Sequence, residues 1–242
     1  MLYGIISDIH ANLEAFSAVL KKLAQAEKII SLGDVVGYGP DPNACIELVR
    51  KKSIASVLGN HDAVLTGAGE DTWFNHRAKA AIAWTRLELK QENLAWLKSL
   101  AKVMTEDGFQ VVHGSLRSPL HEYLTNIAEA MPTFELMKTN LCFVGHSHVP
   151  MFIALDQDGN YNSRQLRDGD EMLIDDHAKL IINVGAVGQP RDGDPRAAYA
   201  LYNSQSGLFS FHRVEYDIAR TQLKMSAAKL PQQLIDRLKA GL

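Results

Sequence analysis

Residues 2–13 read Leu2-Tyr3-Gly4-Ile5-Ile6-Ser7-Asp8-Ile9-His10-Ala11-Asn12-Leu13. The stretch 2–7 is an apolar run that ends in a polar cluster, the pattern of a short buried strand. Asn12 is placed to cap a helix, and Leu13, Phe16, Val19, Leu20 and Leu23 recur at helical spacing, which predicts a helix over 13–25. A strand that stops at Asp8 and His10 and leads into a helix begins a β-α-β unit. Its polar residues fall at the strand's carboxyl end.

The alternation continues outward. Residues 28–32 predict a second strand and 33–40 a Gly-rich loop, and Asp41 before Pro42 opens a helix that runs toward Lys52. Residues 54–58 predict a third strand, ending at Gly59. Helices are expected over 75–89 and 92–101, with Trp84, Leu87, Leu94 and Leu97 facing inward, and strands over 109–112 and 141–144. From Met151 the texture changes to short alternating strands, with hairpin signals at Asp158-Gly159-Asn160 and over 203–207. A last helical region starts near Asp217 and is interrupted at Pro231. This order predicts an α/β protein with a mixed sheet system.

Composition bounds the class. The chain has 242 residues, 46% hydrophobic and 22% charged, the balance of an ordinary globular protein with enough length to bury a core. No linker, repeat or low-complexity segment divides it, so residues 1–242 are expected to form a single domain. With 25 Lys plus Arg against 28 Asp plus Glu, the net charge is −3. That leaves no broad basic footprint, and no extended nucleic acid is expected as a partner. No apolar run is long enough to cross a bilayer, and no membrane partner is expected. The first residues lack a basic region and lead straight to Asp8, unlike a signal peptide. Cys45 and Cys142 sit in apolar surroundings without a CxxC partner and read as core residues of a reducing compartment, which makes the cytoplasm the expected location.

The strand ends carry the unusual residues: Asp8 and His10, then Asp34, then Asn60, His61 and Asp62, then His113, and last His146 and His148. Five of the nine histidines fall there, while His76, His121, His177 and His212 read as surface or structural residues. Buried charged groups cost several kcal/mol unless they are paired or bind metal, so this concentration points to a two-metal site. Imidazole with carboxylate oxygen suits Mn²⁺, Fe²⁺, Co²⁺, Ni²⁺ or Zn²⁺ better than Mg²⁺ or Ca²⁺, and the lack of thiolates argues against a structural zinc cluster. The adjacent Gly33, Gly59, Gly114 and Gly145 are expected to let the backbone turn sharply beneath the ligands.

Ser7-Asp8-Ile9-His10, Gly33-Asp34, Gly59-Asn60-His61-Asp62, His113-Gly114 and Gly145-His146-Ser147-His148 resemble the five ordered blocks of the calcineurin-like metallophosphoesterases. Further stretches are similar to the compact bacterial and archaeal branch of phosphodiesterase and diadenosine-tetraphosphatase-like members. These are Gly33-Asp34-Val35-Val36-Gly37-Tyr38-Gly39-Pro40, Ala83-Trp84-Thr85-Arg86, His113-Gly114-Ser115, and Val187-Gly188-Gln189-Pro190-Arg191-Asp192-Gly193. The resemblance implies a four-layer α/β/β/α sandwich of two mixed sheets flanked by helices. It implies hydrolysis of a phosphodiester, phosphomonoester or dinucleoside polyphosphate by water activated at two divalent transition-metal ions, Mn²⁺ foremost. By the same resemblance Asp8, His10 and His148 hold the first ion, Asp34 bridges, and Asn60, His113 and His146 complete the second. His61 becomes the proton donor to the leaving group, oriented by a hydrogen bond that Asp62 accepts.

The family's usual Asn-Pro-Gly-Ser stands here as Asn183-Val184-Gly185-Ala186, which removes the hydroxyl on which a substrate role of that turn would rest. Gly37-Tyr38-Gly39 lacks the Lys-Ser/Thr of a phosphate loop and reads as the rim of the site. Arg191 offers a planar guanidinium suited to phosphate, although Asp192 and Asp194 could instead pair with it and with Arg196. Asn12 and Tyr38 join Arg191 as expected substrate-side residues. The acidic stretch 168–176 reads as a solvated hairpin. A binding protein built on the same fold is the rival reading, and the intact His61 and Asp62 weigh against it.

Overall fold

The structure is a computed structural model describing residues 1–174 and 177–242. The first part runs β1 (Leu2–Ile6), α1 (Leu13–Lys22), β2 (Lys28–Ser31), α2 (Pro42–Lys51), β3 (Ala55–Ser56), α3 (Asn60–Thr66), α4 (His76–Glu88) and α5 (Gln91–Lys98). It continues with β4 (Val103–Glu106), β5 (Phe109–Val112), α6 (Ile127–Leu136), β6 (Leu141–Val144), β7 (Met151–Asp156) and β8 (Tyr161–Gln165). The chain then adds β9 (Glu171–Leu173), β10 (Ala178–Asn183), β11 (Ala197–Asn203), β12 (Leu208–Val214), α7 (Ile218–Ala227) and α8 (Gln232–Ala240).

Two mixed six-stranded sheets result, ordered β3-β2-β1-β11-β12-β9 and β4-β5-β6-β10-β7-β8. In the first, β1, β2 and β3 run parallel and β11 returns antiparallel beside β1. In the second, β5, β6 and β10 run parallel, with β4 and β7 antiparallel at their flanks. Period-two alternation separates the two faces of each strand. Tyr3, Ile5, Phe109, Phe143, Ile182, Tyr202 and Phe211 meet between the sheets. Ile6 and Tyr199 point outward to Phe16, Cys45, Ile46 and Leu97 of the helices on one side. Cys142, Val144 and Ile181 point outward to Ala130 and Phe134 of α6 on the other. Each large apolar side chain buried this way contributes roughly 1.5–3 kcal/mol, enough in sum to fix both sheet faces. The layers are those of the expected α/β/β/α sandwich.

The sequence expectations fail in a few places, each for a local reason. Leu87 is 85% exposed rather than inward. The buried face of α4 runs through Ala78, Ala81, Ile82 and Thr85, and a residue two past Thr85 falls on the opposite side. Helix α6 went unread because Pro132 lies inside it, yet Asn126 caps it by accepting from the Glu129 N–H at 3.1 Å. The third strand shrinks to Ala55–Ser56, and α3 begins directly at Asn60. In the acidic stretch, Asp168 and Asp170 bond Arg196 and Arg164 rather than water alone, while Asp175 and Asp176 lie outside the described residues. Both cysteines are buried and free. Among the described residues no helix is long and apolar enough to cross a membrane.

Candidate metal centre

All the parallel strands deliver their carboxyl ends to one rim, where open α/β sheets place their ligands. Loops from the two sheets are stitched together there: Gly145 N donates to His113 O at 2.9 Å, Gly188 N to Asp8 O at 2.8 Å, and His10 N to Asp34 O at 2.9 Å. The rim backbone is unusual. Asp8, His10, Ala11, Asp34, Tyr38, His146 and His148 all have φ between 47° and 67°. Non-glycine residues in this left-handed region cost on the order of 1 kcal/mol or more each, although Asp and His tolerate it best. The glycines were expected to make the turns; the metal-site residues themselves make most of them. Gly59 serves a different purpose, because a Cβ there would lie 2.0 Å from Asp34 Oδ1.

The side chains converge with one ligand-capable atom facing inward. His10 Nδ1 donates to Val36 O at 3.1 Å, His113 Nδ1 to Leu32 O at 2.9 Å, and His148 Nδ1 to Gln189 O at 2.6 Å. These bonds place a proton on Nδ1 of each ring and turn Nε2 inward, the arrangement that orients metal-binding histidines. His10 Nε2 and His148 Nε2 then stand 3.1 Å apart, and His113 Nε2 stands 3.1 Å from His146 Nδ1 and 2.9 Å from Asn60 Oδ1. The two carboxylates are held by one oxygen each. Asp8 Oδ2 accepts from Ser7 Oγ at 2.6 Å and His146 N at 3.1 Å, while its buried Oδ1 has no hydrogen-bond partner. Asp34 Oδ1 accepts from His61 N at 2.9 Å. Its Oδ2 lies 3.6 Å from His10 Nε2 and 3.4 Å from His113 Nε2, between the two sets.

Asp8, His10 and His148 thus form one group of ligand atoms within 4.8 Å of one another, and Asp34, His113 and His146 form another. A third such group joins His10, Asp34 and His61. Acceptor atoms crowded this closely, with an orphaned carboxylate oxygen among them, repel unless positive charge sits between them, as a proton or a metal cation. The electrostatics point the same way. Burial pushes His113 down, but Asp34 and Asp8 outweigh it and hold the ring up to about 9. Asp34 is likewise pushed up by burial and drawn well below the usual carboxylate range by His113 and His61. The donor set fits a borderline divalent cation.

His61 sits in the first turn of α3, wedged between Tyr38 at 4.3 Å and Phe74 at 4.5 Å between ring centres. Its buried Nδ1 has no hydrogen-bond partner and lies against Gly37. The expected bond from His61 to Asp62 is not formed. The Asp62 carboxylate accepts instead from Val35 N, Val36 N and Gly59 N at 3.2–3.3 Å, fixing the loop after β2 to the start of α3. A carboxylate at the third position of a helix caps its own N-terminus before it can reach a neighbouring side chain. Aromatic packing orients His61 instead.

The substrate-side expectations divide. Asn12 is 1% exposed; its oxygen accepts from Ala15 N at 3.2 Å and from Thr221 Oγ1 at 3.0 Å, and its amide donates to Gly188 O at 2.9 Å. It holds the fold and does not face the cleft. Tyr38 and Arg191 do line a cleft of about 200 Å³ whose floor is Asp34, Asn60, His61, His146 and His148. Arg191 escapes ion pairing with its neighbours, because Asp194 holds Arg196 and Asp192 holds Arg213. The Asn183 amide donates to Gly145 O at 2.5 Å and Ser147 Oγ at 2.9 Å, so that turn supports the His146 loop from below. Sequence reasoning missed Trp73, Phe74, Tyr123 and Arg237 on the cleft wall. Tyr123 stacks on His146 at 4.1 Å. None carries a local signal; tertiary structure alone brings them to the site.

A family profile described as the calcineurin-like phosphoesterase superfamily domain matches residues 1–207. The crystal structure of a metallophosphoesterase from Sphaerobacter thermophilus is 44% identical, covers 100% of both chains and superposes with a TM-score of 0.89. An uncharacterized protein of Methanocaldococcus jannaschii is 38% identical, over 99% of this chain and 98% of its own. The symmetrical bis(5'-nucleosyl)-tetraphosphatase of Chromohalobacter salexigens is 27% identical over 51% of this chain and 47% of its own.

Proposed function

The chain belongs to the calcineurin-like phosphoesterase superfamily, and on that premise we propose that it hydrolyses a phosphate ester of a small molecule at a two-metal centre. The observation that carries this reading is Asp34 Oδ2, set 3.6 Å from His10 Nε2 and 3.4 Å from His113 Nε2, between two groups of inward-facing donors. Asp8, His10 and His148 would hold one ion, Asn60, His113 and His146 the other, with Asp34 shared. Mn²⁺ is the first choice, then Fe²⁺, Co²⁺, Ni²⁺ or Zn²⁺. Bound there, such ions lower the pKa of a coordinated water and neutralise phosphoryl oxygens.

The remaining work falls to the chain. Arg191 on the cleft wall, above the floor formed by Asn60 and His146, offers its guanidinium to a phosphoryl oxygen of the substrate. His61 donates toward the departing oxygen. Burial pushes its imidazole down to about 4, and the negative charge of a phosphate ester seated beside it acts to raise that value. A scaffold protein on the same fold would have no use for an open cleft ending on His61, which favours the enzyme reading. The protein should act in the cytoplasm without a membrane partner.

The test is to strip the protein with chelator, reload it with each of the five ions, and screen monoesters, diesters and dinucleoside polyphosphates. Hydrolysis that depends on the added ion supports the reading, and inactivity on every ester with every ion contradicts it.

Gly37 offers a separate check on His61. It has φ +89°, and a Cβ there would lie 2.4 Å from His61 Nδ1. Gly37→Ala should displace the imidazole while sparing the ligands, lowering kcat by about 10²-fold, the cost of a misplaced reacting group. Metal content and the melting curve, measured alongside, should change little by comparison. Equal turnover in variant and wild type would remove His61 position from the mechanism.

A further inference from the structure

We propose that Arg237, reaching the cleft from α8, forms with Arg191 a subsite for a second phosphoryl group of the substrate, apart from the one that reacts. The proposal rests on the phosphoesterase reading and adds to it the class of ester: one carrying two phosphoryl groups. Helix α8 (Gln232–Ala240) lies beyond the 1–207 segment that matches the family profile, so nothing in that segment supplies this residue.

Several arginines elsewhere are matched with acids: Arg164 with Asp170, Arg196 with Asp168 and Asp194, and Arg213 with Asp192. Arg191 and Arg237 share the wall of the metal-centre cleft; among the described residues no Asp or Glu pairs with either, and Arg237 reaches an oxygen of Leu242. Arg191 donates through Nη2 to Gln189 Oε1 at 2.9 Å, lies 5.7 Å over the Tyr38 ring, and keeps a buried Nε without a partner. Arg237 donates through Nε to the main-chain oxygen of Leu242, which leaves its two terminal nitrogens for the cleft. Burial, and then the charges of Arg191 and Arg77, push Arg237 down to about 10. The Arg77 Nε is also buried without a partner. Arginines gathered in this way, with no Asp or Glu side chain paired to them, repel one another and favour an anion between them. Arg191 lies over Tyr38, which packs on His61 and His10, whereas Arg237 enters the same cleft from α8, bonded to Leu242. One phosphoryl group at the centre and a second between the arginines fill that cleft.

The test is calorimetry on the Mn²⁺-loaded protein with two non-hydrolysable probes, methylenediphosphonate and methylphosphonate. Wild type should bind the two-phosphorus probe at least about tenfold more tightly, the scale of one charge-assisted contact. Arg237→Gln keeps the stem and a donor for Leu242, and should bring that ratio to within about twofold, while Arg237→Lys should restore part of it. Arg196→Gln, in an ion pair away from the cleft, should leave the ratio as in wild type. No preference in wild type, or a preference that survives Arg237→Gln, overturns the subsite. Because the probes report binding, a protein that hydrolyses no ester would contradict the phosphoesterase reading while this comparison still decided the subsite.

Discussion

Asp34→Asn should reduce hydrolysis by more than about 10²-fold and lower bound metal at the same time, since even residues that only support a ligand typically cost 10–100-fold. Three features set Asp34 apart. Its Oδ2 faces both donor groups; its Oδ1 takes the backbone N–H of His61, fixing the start of α3; and its buried charge favours the positive form of His113. The amide keeps the volume and loses the charge, so folding is preserved while two cations lose their shared ligand. Metal content by elemental analysis and kcat on a diester should fall together. A purified variant with two metals per chain and near-normal turnover would refute the shared-ligand assignment.

His61→Ala should keep both metals and slow esters with alkyl or nucleoside leaving groups by roughly 10²–10⁴-fold, the usual contribution of a positioned proton donor. Nitrophenolate needs little protonation as it departs, so its esters should lose far less. Burial holds His61 down to about 4, and the effect therefore depends on the substrate's negative charge raising it. A leaving-group series on wild type and variant separates three roles. A steeper dependence on leaving-group pKa in the variant marks proton transfer. An unchanged slope with intact metals marks a neutral hydrogen-bond donor to the phosphoryl group. Lost metal would make His61 a ligand, as its place in a group with His10 and Asp34 allows.

How much of this was legible depended on whether the cause was local. The parallel strands and their terminal residues could be read because apolar alternation stops where polar side chains begin: Ile5 and Ile6 before Asp8, Phe143 and Val144 before His146. The residues of the metal centre follow from those stops. Asn12 is the cap that its position predicts, and its bonds to Ala15, Thr221 and Gly188 keep its side chain off the cleft wall where a substrate residue was expected. Asp62 failed similarly: adjacency to His61 suggested a bond, but helix geometry turned the carboxylate to its own N-terminus. Leu87 and α6 were lost to the exact phase of one helix and to a proline inside another. Arg237 could not be found at all, since only the packing of α7 and α8 over Tyr38, Ala78 and Ala81 brings the far end of the chain to the cleft. Features set by neighbours in sequence were visible; features set by long-range packing were not.

The most direct test is a Mn²⁺ titration of chelator-stripped protein in which bound metal per chain and hydrolysis of bis(4-nitrophenyl) phosphate are read from the same samples. Activity should be absent without metal and rise to a plateau at about two ions per chain, as a paired-cation centre requires. Full activity in the stripped protein, or saturation with metal and no hydrolysis, would contradict it.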